Sequence, residues 1–427
     1  MISFTFIFLL FALGIGLPIA ATLIFVSLIG ILDVGLPVTL LAQRVVVGLD
    51  SFPLLAAPLF ILAGSIMETG GMSARIVAFA EAIIGHVRGA LAQVVIVSTM
   101  LFSGVSGSQT ADTAAIGSVM LPEMKKRGYP VEFSTAVVAA AGGMGLLIPP
   151  SIILLIYGFL SSTSIAALFI AGVIPGILIC VCGMVGVYLM AGKYDLPAGD
   201  KFSAPRLWTA TKDAAWALMM PVIILVGIRF GVVTITEAAG VAVLYGLFVS
   251  MVVYKEISFA DLPRILSEAG VVTGLVMVVV GVASIFSWYL TSQQVPLFVT
   301  KYLVALTDEK LVILLLLNVV FLLIGAIFEV TAALIMAVPI ILPVAHAYGI
   351  DPVHLGIVVA ANLGVGLVTP PVGICLYVAC GISKIPIEKT FKALLPLIGA
   401  MIVGLLLITY IPAISLFLPR VLLNYGY

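Results

Sequence analysis

One stretch of this chain concentrates groups able to hold an ion: Ser103-Gly104-Val105-Ser106-Gly107-Ser108-Gln109-Thr110-Ala111-Asp112-Thr113. It lies between the apolar runs 94–102 and 114–120. Hydroxyls, a carboxylate and glycine-exposed peptide groups are oxygen ligands that suit Na+, and the hydroxyls and N–H groups suit a carboxylate equally. Buried without partners, such groups cost a few kcal/mol each. The run must therefore meet water, ions or substrate.

Two further constellations have the same character. Pro149-Pro150 and Pro370-Pro371 each sit within long apolar segments. A Pro-Pro pair removes two backbone donors and disfavours helix at the residue before it, and the glycines upstream loosen the same turn. Each segment is expected to be a helix, an unwound stretch and a second helix. Carbonyls freed at such a break can coordinate Na+, and the following half-helix N-terminus can face an anion. Ser151 follows the first pair and Thr369 precedes the second. The competing reading is a structural kink. Asp112 and Glu329 are acids inside apolar surroundings, where function is the default, and capping a half-helix is the alternative; both can hold. Asn362, two residues before Gly364, is a candidate contact to substrate or else one side of an interhelical hydrogen bond.

The elements that must position these groups are membrane helices. Of 427 residues, 63% are hydrophobic and only 9% charged, against roughly 25% charged in soluble proteins. The apolar segments are too long for barrel strands. They cover about 2–32, 52–69, a broken pair at 89–126, then 131–160, 164–191, 214–230, 235–254, 268–292, a second broken pair at 310–346, 351–380 and 393–417. The stretches 36–49 and 73–88 are amphipathic and suit helices lying in the interface, or ordinary connecting helices. The polar stretch 192–213, with Lys193, Lys201, Arg206 and Lys212, belongs in the cytoplasm. If 89–126 and 310–346 are re-entrant hairpins, 14 of the 19 Lys and Arg face that side.

The chain repeats itself at an offset of 221 residues. Leu121-Pro122 recurs as Leu342-Pro343, and Gly128 as Gly349. Gly143-Met144-Gly145-Leu146-Leu147-Ile148-Pro149-Pro150 recurs as Gly364-Val365-Gly366-Leu367-Val368-Thr369-Pro370-Pro371. Five spans separate the copies, an odd number, so the second copy is upside-down. Inverted-topology repeats mark alternating-access transporters. The fold class is an all-α polytopic membrane protein with two re-entrant hairpins and two broken helices.

Several classes are excluded or disfavoured. Net charge is zero, which argues against nucleic acid. Cys180, Cys182, Cys375 and Cys380 read as small buried hydrophobes, and the scattered His give no transition-metal site. No phosphate-binding Gly-Lys-Ser/Thr loop exists, so ATP is not expected as the energy source. Sealed hairpins argue against a passive channel. Asp112 and Glu329 in separate repeats give no hydrolase signature, so the chain is not read as an enzyme.

Several motifs together resemble the large membrane subunit of tripartite ATP-independent periplasmic (TRAP) transporters. They include Asp50-Ser51-Phe52-Pro53-Leu54-Leu55-Ala56, Ser103-Gly104-x-Ser106-Gly107-Ser108-x-x-Ala111-Asp112, Ile148-Pro149-Pro150-Ser151, Phe169-Ile170-Ala171-Gly172-x-x-Pro175-Gly176, Thr236-Glu237-Ala238 and Thr369-Pro370-Pro371-x-Gly373. The resemblance runs nearly end to end. It implies an elevator-type carrier in a bacterial inner membrane, driven by two or more Na+ ions. A separate small four-helix membrane subunit and a periplasmic substrate-binding protein are the implied partners, with membrane lipid around them. One Na+ site would use Ser103, Ser106, Gly145 and Ile148, and the other Gly325, Gly366 and Thr369. A small carboxylate would lie near Ser106, Ser108, Asp112, Ser151 and Asn362. Many relatives carry Asp where this chain has Glu329, which puts that side chain's role in question. The implied division is 1–88 scaffold and arm helices, 89–160 transport hairpin plus broken helix, 161–309 scaffold, 310–380 the second transport unit, and 381–427 a final scaffold helix. The expected function is Na+-coupled uptake of a small organic acid such as a C4-dicarboxylate or sialic acid. A stand-alone Na+/carboxylate symporter is the alternative.

Overall fold

A computed structural model describes the chain except for residues 1–7, 10, 13, 14, 195, 198, 200 and 427. Its α-helices are α1 (Ile19–Asp33), α2 (Thr39–Leu49), α3 (Ala56–Thr69), α4 (Met72–Ile84), α5 (Ala90–Ser106), α6 (Gln109–Lys126), α7 (Val131–Met144), α8 (Ile152–Ser161), α9 (Ile165–Met190), α10 (Ala204–Arg229), α11 (Ile235–Phe248), α12 (Leu262–Ser292), α13 (Val295–Leu306), α14 (Lys310–Ile327), α15 (Val330–Ala347), α16 (Pro352–Gly366), α17 (Ile374–Ser383), α18 (Ile387–Tyr410) and α19 (Ala413–Leu423). Among the described residues there is no strand. Among the described residues, eight helices are long and apolar enough to cross a membrane, or nine if the pair bent by 41° at the first Pro-Pro is one span.

The repeat extends further than the sequence motifs alone suggest. At the 221-residue offset α4 falls on α13, α5 and α6 on α14 and α15, α7 and α8 on α16 and α17, and α9 on α18. Pro175 inside α9 corresponds to Pro396 inside α18. Both Pro-Pro bonds are cis. Five crossings (α7–α8, α9, α10, α11 and α12) separate the hairpin α5–α6 from the hairpin α14–α15. Whether a hairpin's arms reach the far face or stop short, it returns to the side it left. The parity therefore holds, and the second repeat is inverted.

Packing follows the repeat. The second half of each broken helix lies on the hairpin of the other repeat, α17 on α6 and α8 on α15. The first halves, α7 and α16, cross at Gly143 and Gly364, where a side chain on either would meet the other's carbonyl. Hairpins and broken helices thus form one interlocked unit. Around it α3 packs on α11 and α12, and α12 also covers α1 and α2.

Four expectations about the elements are corrected. The segment read as one span over 2–32 is interrupted at residues 15–18, where Gly16 has φ 84 and Pro18 precedes α1; its first residues lie outside the described ones. The polar stretch 192–213 is half helix, because Pro205 at the first turn starts α10 at Ala204. The span 393–417 ends at Tyr410, where Pro412 stops α18 and a separate helix α19 begins. The helix α13 was not anticipated; its counterpart is α4.

Candidate functional site

Hairpin 1 turns where the chain needs a left-handed residue. Gly107 has φ 65 and separates α5 from α6. A Cβ on Gly107 would sit 2.9 Å from the Pro150 carbonyl oxygen, and one on Gly104 would sit 3.2 Å from the Ile148 side chain and 3.4 Å from the Pro149 oxygen. The glycines therefore allow the tip to lie directly on the break of α7–α8. The break unwinds from a short 3-10 turn, Gly145–Leu147, and α8 restarts at Ile152 with Ser151 as its cap, its hydroxyl accepting from the Leu154 N–H at 3.4 Å.

Asp112 is fully buried in the first turn of α6. Its carboxylate accepts hydrogen bonds from the Ser103 and Ser106 hydroxyls, one on each oxygen. The Ser106 hydroxyl in turn accepts from the Ser108 N–H at 3.1 Å. A side chain at Gly145 would collide with Ser103 and lie 3.8 Å from the carboxylate. Ser103, Ser106, Asp112 and Gly145 are thus brought to one point, where an acid, two hydroxyls and unwound backbone converge.

The second tip is built differently. Glu329 caps α15, accepting from the Ala332 N–H at 3.1 Å and the Thr331 hydroxyl at 3.0 Å. Gly325 and Gly366 approach backbone to backbone, with a Cβ on Gly325 only 3.3 Å from the Gly366 Cα. The Val372 N–H donates to the Ala326 carbonyl at 3.2 Å, joining hairpin 2 to the break before α17. Thr369 turns its hydroxyl back onto the Val365 carbonyl at 2.7 Å. At the offset of 221, Asp112 falls on Ala333 and Ser108 on Glu329, so the two tips carry their acids at different positions.

Between the tips lies a cavity of about 550 Å³. Ser106, Ser108 and Thr110 line it from hairpin 1, and Glu329 and Thr331 from hairpin 2. The facing wall comes from α3 and α12, which contribute Ser65, Glu68 and Glu268. Among the described residues, no Lys, Arg or His lines it. Glu268 is paired with Arg264 at 3.2 Å.

Of the expected cargo residues, Ser106 and Ser108 reach this cavity. Asp112 and Ser151 lie behind its wall, both at most 1% exposed. Asn362 is also buried away from it. Its amide donates to Asn318 Oδ1 at 2.7 Å and to the Val358 carbonyl at 2.8 Å. Asn318 donates to Thr409 Oγ1 at 3.1 Å. His354, one face of the same helix α16, is within 2.8 Å of the Ser415 hydroxyl and 3.2 Å of the Thr409 carbonyl. This network ties α14, α16, α18 and α19 together. Sequence reasoning missed Glu68 and Glu268 as site residues; the signal was an acid at the end of an otherwise uncharged apolar segment in each case.

Comparison with known proteins agrees with this architecture. The family description "Tripartite ATP-independent periplasmic transporter, DctM component" matches residues 4–414. The chain belongs to this family. It is 40% identical over 371 residues to the C4-dicarboxylate TRAP transporter large permease protein DctM of Pseudomonas aeruginosa, covering 87% of each chain. It is 39% identical to the sialic acid TRAP transporter large permease protein SiaM of Vibrio cholerae, covering 98% of this chain and 97% of that one. It is 41% identical to the isethionate TRAP transporter permease protein DctMQ of Oleidesulfovibrio alaskensis, covering 95% of this chain and 64% of that longer one. Among solved structures, the YdaH transporter of Alcanivorax borkumensis shares the fold, with a TM-score of 0.59, 19% identity, and coverage of 91% of this chain and 88% of that one. The DctM-family chain is a multi-pass component of a solute transporter rather than an enzyme.

Proposed function

We propose that this chain carries a small organic anion across a bacterial inner membrane, coupled to Na+ and handed its cargo by a periplasmic binding protein. The observation that carries the proposal is the charge of the cavity between the hairpin tips: Glu68, Glu268 and Glu329 line it, with no cationic side chain among the described residues of its wall. Like charges about 4 Å apart repel by about 1 kcal/mol in water and about 4 kcal/mol at the effective dielectric near a protein surface. A carboxylate therefore needs cations alongside it. The hydroxyls of Ser106, Ser108, Thr110 and Thr331 supply donors for its oxygens.

The donors beside each tip suit Na+ as the accompanying substrate. At hairpin 1 they are the Ser103 and Ser106 hydroxyls and the unwound backbone of Gly145 to Ile148. At hairpin 2 they are the backbone of Gly325 and Gly366 with Thr369. All are oxygen ligands, and broken-helix carbonyls are the usual holders of a coupling cation at membrane depth. The relatives' names, for C4-dicarboxylate, sialic acid and isethionate permeases, support a small organic anion as the cargo. The interlocked hairpins and broken helices are the unit proposed to slide, elevator fashion, against the helices around α3, α11 and α12. A separate small membrane subunit completes the assembly.

The test is uptake in proteoliposomes holding this chain and its small subunit, with a panel of labelled acids. Uptake is expected to require both a Na+ gradient and the binding protein. Uptake indifferent to Na+ would overturn the ion coupling, and Na+-driven uptake without binding protein would establish a stand-alone symporter instead.

A further inference from the structure

Two kinds of acid border the cavity between the hairpin tips. Glu329 belongs to hairpin 2 itself, whereas Glu68 and Glu268 belong to α3 and α12, outside the interlocked unit. We infer that Glu68, with Glu268, expels an anionic cargo toward the cytoplasm, because these acids face the cargo site only while it is open to that side. This role rests on the proposed transport of an anion by a sliding hairpin unit.

The cavity opens on one side of the tips. It follows α6 and α17 as far as Ala114 and Val378, which are half-buried in its wall. Their counterparts in the other repeat, Ile335 on α15 and Tyr157 on α8, are 0% exposed. Helices α6 and α17 lead on to Lys126 and Lys384, on the side that the distribution of basic residues assigns to the cytoplasm. The described state is therefore open inward. The acids of α3 and α12 sit at the same end. A side chain at Gly64 would meet the Ser106 carbonyl oxygen at 2.7 Å, so α3 touches the hairpin 1 tip there. Glu68 lies one turn further along α3, in the direction of Arg75, and Glu268 lies one turn from Arg264 near the start of α12.

Exchanging the two repeats gives the wall that the site meets when open outward. Helix α12 has 31 residues, the same span as α2, the break after it and α3 taken together. The first turns of α12, which carry Glu268, therefore correspond to α2, and its last turns correspond to α3. No residue from Ala269 to Ser292 is charged, and the only charged residue within α2 is Arg44. The Arg44 guanidinium lies 5.2 Å from the centre of the Trp288 ring, so these two counterpart segments meet as α3 and the start of α12 do. A cargo site raised to this level meets Arg44 and no acid from either segment. At the described level it meets Glu68 and Glu268. An anion whose accompanying cations have left is then repelled at the cytoplasmic end alone. Arg264, 3.2 Å from Glu268, offsets part of that charge, so Glu68 carries most of the effect.

The field can be read without knowing the cargo. Ala114→Cys, in a full chain without native thiols, is reacted in inside-out membrane vesicles with methanethiosulfonates carrying a sulfonate, a trimethylammonium or no charge. Glu68→Gln is expected to speed the sulfonate reagent by about fivefold, slow the cationic one by about as much, and leave the neutral rate unchanged. Glu68→Asp keeps the charge and should keep the parent rates. Charged-reagent rates indifferent to Glu68→Gln, or a neutral rate that moves with them, overturn the inference. Should Glu68→Gln fail to fold, Glu268→Gln decides: a smaller shift in the same direction is expected, and none refutes the role. Uptake of labelled succinate, sialic acid and isethionate into proteoliposomes then tests release. Glu68→Gln is expected to lower Vmax and KM together, because slower release limits turnover; an unchanged or raised Vmax refutes the release role. A field that responds to Glu68 in a chain that takes up none of the three acids sinks the anion-carrier reading and release with it, whereas a field that does not respond sinks this inference alone.

Discussion

Gly143 and Gly364 stand 221 residues apart in sequence and face each other in space, each where a side chain would meet the other's carbonyl oxygen. A Cβ on Gly364 would lie 2.6 Å from the Gly143 oxygen, and one on Gly143 would lie closer still to the Gly364 oxygen. Equivalent residues that contact each other mutually define a two-fold relation, as in an isologous interface. The pseudo-axis of the repeat therefore passes through this crossing of α7 and α16. Gly143→Ala and Gly364→Ala are each expected to cost about 1–3 kcal/mol through overpacking against backbone that has nowhere to move. By contrast Gly274→Ala, in an open stretch of α12, should be neutral or gain up to about 1 kcal/mol from helix propensity. Thermal unfolding in detergent separates them; a Gly143 variant melting with the parent would show that the crossing is looser than described.

Inversion makes a prediction about sidedness. Lys126 and Ala347 are equivalent residues at the exits of the two hairpins, and both are exposed. Lys126→Cys and Ala347→Cys, in a background without native thiols, should be labelled by an impermeant maleimide from opposite faces, Lys126→Cys from the cytoplasm. Labelling of both from one face would require an even number of crossings between the hairpins and would remove the inverted repeat.

Much of this was legible in the sequence, for a physical reason. Gly and Pro change the backbone wherever they stand, so the Pro149-Pro150 and Pro370-Pro371 breaks and the Gly107 turn could be read without knowing any neighbour. Helix ends were less legible: α18 stops at Tyr410 and α19 starts at Ala413, and hydropathy runs straight through both. The direction of a polar side chain was not legible at all. Asn362 occupies a helix that borders the site, but its amide is taken by Asn318 on α14, a partner 44 residues away. Glu68 and Glu268 reach the cavity only because α3 and α12 pack side by side, which no local pattern specifies.

Cavity charge can be tested through Glu68, which lines the cavity wall. Glu68→Gln removes one negative charge from the wall while keeping its shape. At low Na+ the KM for an anionic cargo is expected to fall by roughly fivefold, the equivalent of about 1 kcal/mol of relieved repulsion. The dependence of uptake on Na+ should flatten correspondingly. A KM that rises instead would mean that Glu68 helps hold the cargo, for instance by accepting from a cargo hydroxyl.

Glu329 couples the same cavity to the fold of hairpin 2. As the cap of α15 it satisfies the Ala332 N–H and the Thr331 hydroxyl. Glu329→Ala is expected to cost about 1 kcal/mol, the usual effect of losing a helix cap. Glu329→Gln keeps an acceptor oxygen and should melt close to the parent. Equal destabilisation by both substitutions would show that the charge, acting on the N-terminus of α15, matters more than the hydrogen bonds.

The buried network of repeat 2 is not repeated in repeat 1, where Asn318, Asn362 and Thr409 are replaced by Val97, Ala141 and the exposed Tyr188. Asn318 Oδ1 accepts from Asn362 and from Thr409, so one oxygen joins three helices. Because Asn362 is fully buried and outside the cavity wall, its removal should act on stability rather than on cargo. Asn362→Ala is expected to destabilise by about 1–3 kcal/mol, through lost hydrogen bonds and a buried acceptor left with fewer partners. A double-mutant cycle with Asn318→Ala should give a coupling of about 1 kcal/mol, since each change removes what the other contacts. The KM for cargo should stay within about twofold of the parent, a difference of under 1 kcal/mol. A tenfold rise in KM with unchanged melting would return Asn362 to the cargo site and require α16 to rotate between the described state and the loaded one.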